Sequence, residues 1–373
     1  MTVSAMYICP VNGLIDFRPP DPGRLHQAAG TARDLGVEKL WFPVIEETLM
    51  MPRRDMVRYL DGIIRSLDIA DEAGLTAGVF AMARNVLGLD FIPPHLAKSF
   101  PDPDAAMVFT AGKLRNLRPF PWWKDLAIVQ KRLSLFRELI SALHGHPALA
   151  DWVLLDGMLD WDRPNPDAMD VILKSQLAEL KERGQADRNH LSLNWSELIR
   201  PNMALSLARQ ADGVIVRGLD RPPADWGDIG GPGGEIRLGA YVGALCQWLF
   251  ECPVIVETGW RLFTGLEDPE PAIEAAARWG RFNVDGLIWT TLIDPEPPRA
   301  GLPPWMIRKG LEKAGLLDPG GDPKAGVEEF LAELASGKPS PGTMDFIDLD
   351  RNEYLDDPAM HFKRLWDHFR DYR

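Results

Sequence analysis

Short apolar and β-branched runs alternate along this chain with longer stretches in which apolar residues recur every three or four positions. The short runs are Met6–Pro10, Lys39–Val44, Ala77–Ala83, Trp152–Leu155, Leu191–Trp195, Gly213–Val216, Pro253–Glu257 and Gly286–Thr290. Runs of this length, bounded by turn residues, read as buried strands. Helical spacing marks Pro22–Leu35, Met56–Ala73, Lys124–Leu143, Asp167–Arg183, Asn202–Gln210, Leu238–Phe250 and Pro271–Phe282. Asp21 is placed to cap the first helix, and Gly36 and Gly74 to stop the first two. Strands alternating with helices imply parallel pairing, because each parallel connection needs a crossover. Eight such units over residues 1–300 predict an α/β fold, a (β/α)8 TIM barrel. An open doubly wound sheet would want a glycine-rich turn after its first strand, and Cys9-Pro10-Val11-Asn12-Gly13 is not GxGxxG.

Two regions break the repeat. Residues 86–123 form a long connection rich in Pro, Phe and Trp after the third strand, on the face where such barrels keep their chemistry. Residues 301–373 read as a C-terminal extension packed on the barrel, with helices near Gly326–Leu334 and Pro358–Phe369.

Composition narrows the partners. A formal net charge of −13 with no Lys/Arg-rich block excludes nucleic acid and anionic membranes as expected partners. No apolar run reaches the roughly 18 residues of a membrane span. The N-terminus lacks a basic region followed by an apolar core, so a cytoplasmic location is expected. Cys9, Cys246 and Cys252 show no CxxC spacing, and the seven His include no HExxH, so neither a metal nor another cofactor is expected.

Function is sought at the C-terminal ends of the strands, where side chains of a barrel converge. Glu46 and Glu47 follow the second strand, Arg84 and Asn85 the third, and Asp156 and then Asp160 the fourth. Asn194, Trp195 and Glu197 follow the fifth, Arg217 the sixth, Glu257 and Trp260 the seventh, and Trp289 and Asp294 the eighth. A polar cup with aromatic walls suits a saccharide, whose hydroxyls take polar partners and whose ring faces stack on indoles. Among these residues Glu257 stands out, because a carboxylate directly after four apolar residues must emerge at the strand's mouth or be buried at a cost of several kcal/mol.

Pro253-Val-Ile-Val-Glu257-Thr-Gly259 resembles the strand-seven motif of the clan A retaining glycoside hydrolases, the cellulase-like family five in particular. The segment from His146 through Trp152 to Asp156-Gly157 looks like their strand-four segment, and Gly286-Leu-Ile-Trp289 is similar to their strand eight. Arg84-Asn85 is a weaker match at the end of strand three. The resemblance implies Glu257 as nucleophile and Trp289 as the stacking floor. It also implies an acid on strand four, where the family's Asn-Glu is replaced by Asp156-Gly157, and a glycine has no proton to give. The acid's role then falls to Asp156, to Asp160 or to Glu197. Arg84, Asn85, Asn194, Trp195, Glu197, Arg217 and Trp260 remain to bind the saccharide or glycoconjugate. Retention wants the two carboxyls about 5–5.5 Å apart and inversion about 6.5–9.5 Å. A non-catalytic saccharide-binding protein is the alternative. A further one is a metal-dependent enzyme holding Mg²⁺ or Mn²⁺ with Glu46, Asp156, Glu197 and Glu257.

Overall fold

The computed structural model describes residues 1–8, 21–86, 89–97, 107–111, 113–117, 120–156, 164–184, 188–219, 234–259, 269–279, 281–282, 284–294, 313–337 and 344–371. Eight parallel strands close into a barrel: β1 (Thr2–Met6), β2 (Lys39–Ile45), β3 (Thr76–Ala83), β4 (Leu149–Leu154), β5 (Asn189–Asn194), β6 (Gly213–Arg217), β7 (Val254–Thr258) and β8 (Gly286–Trp289). Each pairs with its neighbour in the chain, and β8 returns to β1 with Thr2 opposite Gly286 and Ala5 opposite Trp289. The helices between them are α1 (Pro22–Asp34), α2 (Glu46–Leu49), α3 (Arg53–Glu72), α4 (Leu126–Leu143), α5 (Pro166–Glu182), α6 (Asn202–Ala208), α7 (Gly234–Phe250) and α8 (Glu270–Trp279). This is the (β/α)8 TIM barrel expected from the pattern.

Local sequence sets the helix ends. The Asp21 carboxylate accepts from the Arg24 N–H at 3.0 Å, with Pro22 at the first helical position. The Asp125 carboxylate caps α4 through the N–H groups of Ala127 and Ile128. Among the described residues no helix is long and apolar enough to cross a membrane.

The barrel interior is layered, as the two-residue period of a strand requires. Its middle is an apolar cluster containing Met6, Trp41, Phe80, Val153, Ile215 and Ile288, with Ile255 packed against it. Two residues earlier on their strands stand Lys39 and Asp151, which pair with each other, and His190 Nε2 lies 2.8 Å from Asp151 Oδ1. Burial alone would push the Asp151 carboxyl up, but His190 and Lys39 hold it below the ordinary value. Trp41 fits beside this trio because β3 carries Gly78 there. A Cβ at Gly78 would meet the indole at 2.3 Å.

The polar starts of the strands explain where the apolar-run reading slipped. β1 is Thr2–Met6 rather than Met6–Pro10, and β4 and β5 begin earlier than expected, at Leu149 and Asn189. Ser4, Asp151 and His190 are polar yet interior, each bonded to a group on another strand.

The connection after β3 holds a four-stranded sheet of Asn85–Val86, Leu89–Phe91, Met107–Thr110 and Lys113–Asn116, absent from the sequence reading. Its Val86, Phe91 and Phe109 join the interior cluster, so this sheet rests over the C-terminal mouth beside β2 and β3. In the tail, α9 (Val327–Ser336) and α11 (Pro358–Asp371) lie near the expected helices, and α10 (Arg351–Asp356) is additional. Tyr241 of α7 is ringed by Phe346, Phe362, Trp366 and Phe369. Tyr354 Oη donates to Leu198 O at 2.8 Å.

The buried trio generates a stability prediction. Lys39→Met strands the Asp151 charge and is expected to cost about 3–5 kcal/mol in urea unfolding near neutral pH. Because the folded value for Asp151 is depressed, its contribution is complete above the unfolded value near 3.9 and is lost as pH falls through the folded one. Asp151→Asn is therefore expected to flatten the stability curve below about pH 4.

Candidate active site

The site lies one turn of the strand pattern above the apolar layer. On β6 the step from Ile215 to Arg217, and on β7 from Ile255 to Glu257, puts each charge two residues toward the C-terminal mouth on the same interior face. Two backbone irregularities aim the neighbouring groups. Val44 pairs with Ala81 but Ile45 with Ala83, so Met82, at φ +58°, is an extra residue in β3 just before Arg84. On β4, Leu155 takes φ +56°, a strained conformation for a bulky residue, directly before Asp156.

At the centre Arg217 bonds Glu257 through Nε and Asp156 through Nη1. All three are nearly inaccessible, at 4%, 2% and 0% exposure. Burial works against the Arg217 charge, yet Asp156 and Glu257 together hold its pKa above the ordinary value. Asp156 has further donors. Its Oδ2 accepts from the N–H groups of Arg84 at 2.9 Å and Asn85 at 3.2 Å, and its Oδ1 from Ser192 Oγ at 2.7 Å. With four donors on two oxygens, Asp156 has no oxygen left from which to offer a proton, and Arg217 stands between it and Glu257.

A second ionic group adjoins the first. Glu46 Oε2 accepts from Arg84 Nε and Nη2 at 3.1 Å and forms an ion pair with Arg132 Nη2, also at 3.1 Å, and both guanidiniums lie over the Trp122 ring. Burial and the neighbouring Arg84 push Arg132 down to about 9 despite Glu46. Next to it Glu47 is half-buried. Burial raises its carboxyl above the usual range, and the N–H of Ala111 in the accessory sheet only partly opposes this. The result is a continuous polar chain from Glu46 on α2, through Arg84 and Asp156, to Arg217 and Glu257.

The other expected residues fall into distinct places. Asn85 Nδ2 donates to Asp90 Oδ1 at 2.7 Å. Asn194 caps the 3-10 turn Trp195–Ile199 through the Ser196 N–H and packs against Gly218, where φ is +82° and a Cβ would lie 2.4 Å from Asn194 Nδ2. Glu197 is buried in that same turn. Trp195 is half-buried, with one face of its indole stacked on Phe362 at 5.8 Å. Trp289 is not a floor. It is fully buried, with Nε1 donating to Ala314 O at 2.7 Å and its ring against Phe330. Asp160, Gly157 and Trp260 lie outside the described residues. No metal cage of His, Cys, Asp or Glu forms among the described residues. Of the four acids weighed for such a cage, Glu46 is taken by arginines, as are Asp156 and Glu257.

Sequence reasoning missed Arg132, Ser192 and Glu235. Arg132 had a signal, a charge at an apolar-spaced position of α4. Ser192 and Glu235, the latter bonded to Thr258 Oγ1 and Gly259 N, had none.

The chain is a closed parallel (β/α)8 barrel with a carboxylate at the mouth of β7, and comparison with solved structures shows which proteins share that fold. No family model and no curated protein sequence matches the chain. Among solved structures, the fold is that of the GH5_18 glycoside hydrolases. A GH5_18 variant from Bifidobacterium longum subsp. longum, in complex with Manβ1-4GlcNAc, superposes with a TM-score of 0.69 at 18% identity, over 91% of this chain and 80% of that one. A GH5_18 protein from Streptomyces cattleya in complex with GlcNAc gives 0.69 at 16% identity, over 92% and 83%. An exo-β-1,4-mannosidase from Opitutaceae bacterium strain TAV5 gives 0.66 at 16%, over 91% and 60%.

Removing the central guanidinium has a definite expected outcome. Arg217→Met leaves two buried carboxylates without a cation and is expected to cost about 3–5 kcal/mol at neutral pH. Urea unfolding of wild type and variant at neutral pH measures the difference.

Proposed function

We propose that the chain binds a small saccharide or glycoconjugate at the C-terminal mouth and hydrolyses its β-glycosidic bond, with Glu257 as nucleophile. The supporting observation is the Glu257 carboxylate at the end of β7, oriented by Arg217 within a glycoside hydrolase-type barrel. An attacking carboxylate must be ionised, and an adjacent guanidinium favours that form. Asp156 serves the site by fixing Arg217 and the Arg84-Asn85 backbone, not by giving a proton. The acid in this reading is Asp160, further along the same connection, and Trp260 supplies the stacking face. The saccharides bound by the superposing proteins make Manβ1-4GlcNAc the first substrate to try.

One observation favours a second reading, a non-catalytic saccharide-binding protein. Gly157 stands where the resembling family keeps its acid, and Arg217 separates the two carboxylates that the floor does hold.

Hydrolysis of Manβ1-4GlcNAc and of nitrophenyl β-mannoside decides between them. Wild type is expected to cleave both, and Glu257→Gln to lose at least about a thousandfold in kcat on each. Asp160→Asn should impair the disaccharide far more than the aryl glycoside, since nitrophenolate leaves without a proton. The same selective loss in Glu47→Gln instead would move the acid to the end of β2. Saturable binding without turnover selects the second reading, and neither binding nor turnover of any saccharide overturns both.

A further inference from the structure

Glu235 is a buried carboxylate in the first turn of α7, on none of the barrel strands, and it reaches the two residues that follow Glu257. Its Oε1 accepts from Thr258 Oγ1 at 3.0 Å and from the Gly259 N–H at 2.9 Å. Burying a carboxylate is costly. Two hydrogen bonds to the charged group and a place at a helix N-terminus offset that cost here.

The same turn is held from two other sides. Gly259 has φ +112°, and a Cβ there would lie 2.5 Å from the Trp289 ring, so the indole is packed directly against the turn. Trp289 is itself fixed by its bond to Ala314 O and its edge contact with Phe330. Directly after β8, Thr290 donates to Thr258 O through both its N–H at 2.8 Å and its Oγ1 at 2.9 Å. The backbone immediately after Glu257 is thus confined by Glu235, Trp289 and Thr290.

We infer that Glu235 is a positioning residue that locks the Thr258–Gly259 turn so that the Glu257 carboxylate stays on Arg217. This deepens the reading of Glu257 given above and rests on it. Glu257 is the penultimate residue of β7, where pairing to the flanking strands is ending, so its backbone needs an anchor beyond the ladder. A site is competent only while such groups keep their geometry to within a fraction of an ångström. Trp289 acquires a role in the same device, as the wall behind the turn.

The test reads Glu257 directly. Its carboxyl carbon is followed by NMR in ¹³C-Glu-labelled protein and assigned by its disappearance in Glu257→Gln. Among the described residues, Arg217 pairs with it, Asp156 lies on the far side of that guanidinium, and Glu235 bonds the turn that follows it. Glu235→Leu removes the acceptor and is expected to raise the Glu257 midpoint by about one pH unit as contact with Arg217 loosens. It should also lower kcat on nitrophenyl β-mannoside by about tenfold with KM little changed, a loss confined to the transition state. Glu235→Gln keeps an oxygen acceptor and should restore both. Thr258→Val, a milder change, removes one of the two bonds and should move the midpoint in the same direction by less, which keeps the test intact should Glu235→Leu not fold. A folded Glu235→Leu or Thr258→Val protein with the midpoint unmoved and only its melting temperature lowered overturns the inference. Because the titration needs no turnover, a wild type that cleaves no saccharide would sink the proposed hydrolysis while the clamp is still judged by NMR.

Discussion

One guanidinium decides what the mouth of this barrel is. Arg217 is buried with a carboxylate on each side, and each of these three charges alone would cost several kcal/mol to bring out of water. Together they are tolerable only in a fixed geometry, so the strand ends that carry them are fixed as well. Asp156 sits on this arginine and on the N–H groups of Arg84 and Asn85, which ties β3 to β4 and β6. Arg84 then reaches Glu46, and Glu46 reaches Arg132 of α4. The strained backbone at Leu155 belongs to this constraint. It is an uncommon conformation that persists because four donors hold the next residue in place.

The N-terminal end of the interior obeys the same physics with a different outcome. Lys39, Asp151 and His190 stand below the apolar layer as Arg217, Asp156 and Glu257 stand above it. Below, the barrel is filled by Trp41 against a glycine, and the charges serve to fill and order the core. Above, an accessory sheet rests over the mouth beside β2 and β3, and Glu257 stands two residues past the apolar layer. Period-two alternation thus places charge on the interior face at both ends.

The barrel was legible because its apolar runs and helical spacings are long and regular. Arg84, Asp156, Arg217 and Glu257 could be picked out because each is a charge that breaks an apolar run near a strand's C-terminal end, and the structure brings these four into one network. What failed to show has physical reasons too. Ser4, Asp151 and His190 are polar residues inside a closed barrel, so an apolar-run criterion assigns them to turns. The accessory sheet uses strands of two to four residues, too short to establish a period. Trp195 and Trp289 look like platforms in sequence because each follows a strand, but sequence does not tell whether an indole faces a cleft or a C-terminal element. Phe362, Phe330 and Ala314, which cover them, are distant in the chain.

Under the proposed reading, with Gly157 where the resembling family keeps its acid, the source of a proton depends on what Asp156 can do. The floor already stands at net −1 by the charges of Arg217, Asp156 and Glu257. Asp156 cannot be released to take over, since its removal would free Arg217, the Arg84-Asn85 turn and Ser192 at once. Any acid must therefore come from residues that can approach Glu257 without joining this network. Under the proposed reading that requirement favours Asp160, further along the chain in sequence, over any carboxyl on the strand ends themselves. Such an acid would meet the leaving group only when the saccharide is in place, whereas Glu257 is held beforehand by Arg217 at the end of β7. Chemistry in such a site would divide between a fixed nucleophile and an acid assembled around the bound sugar.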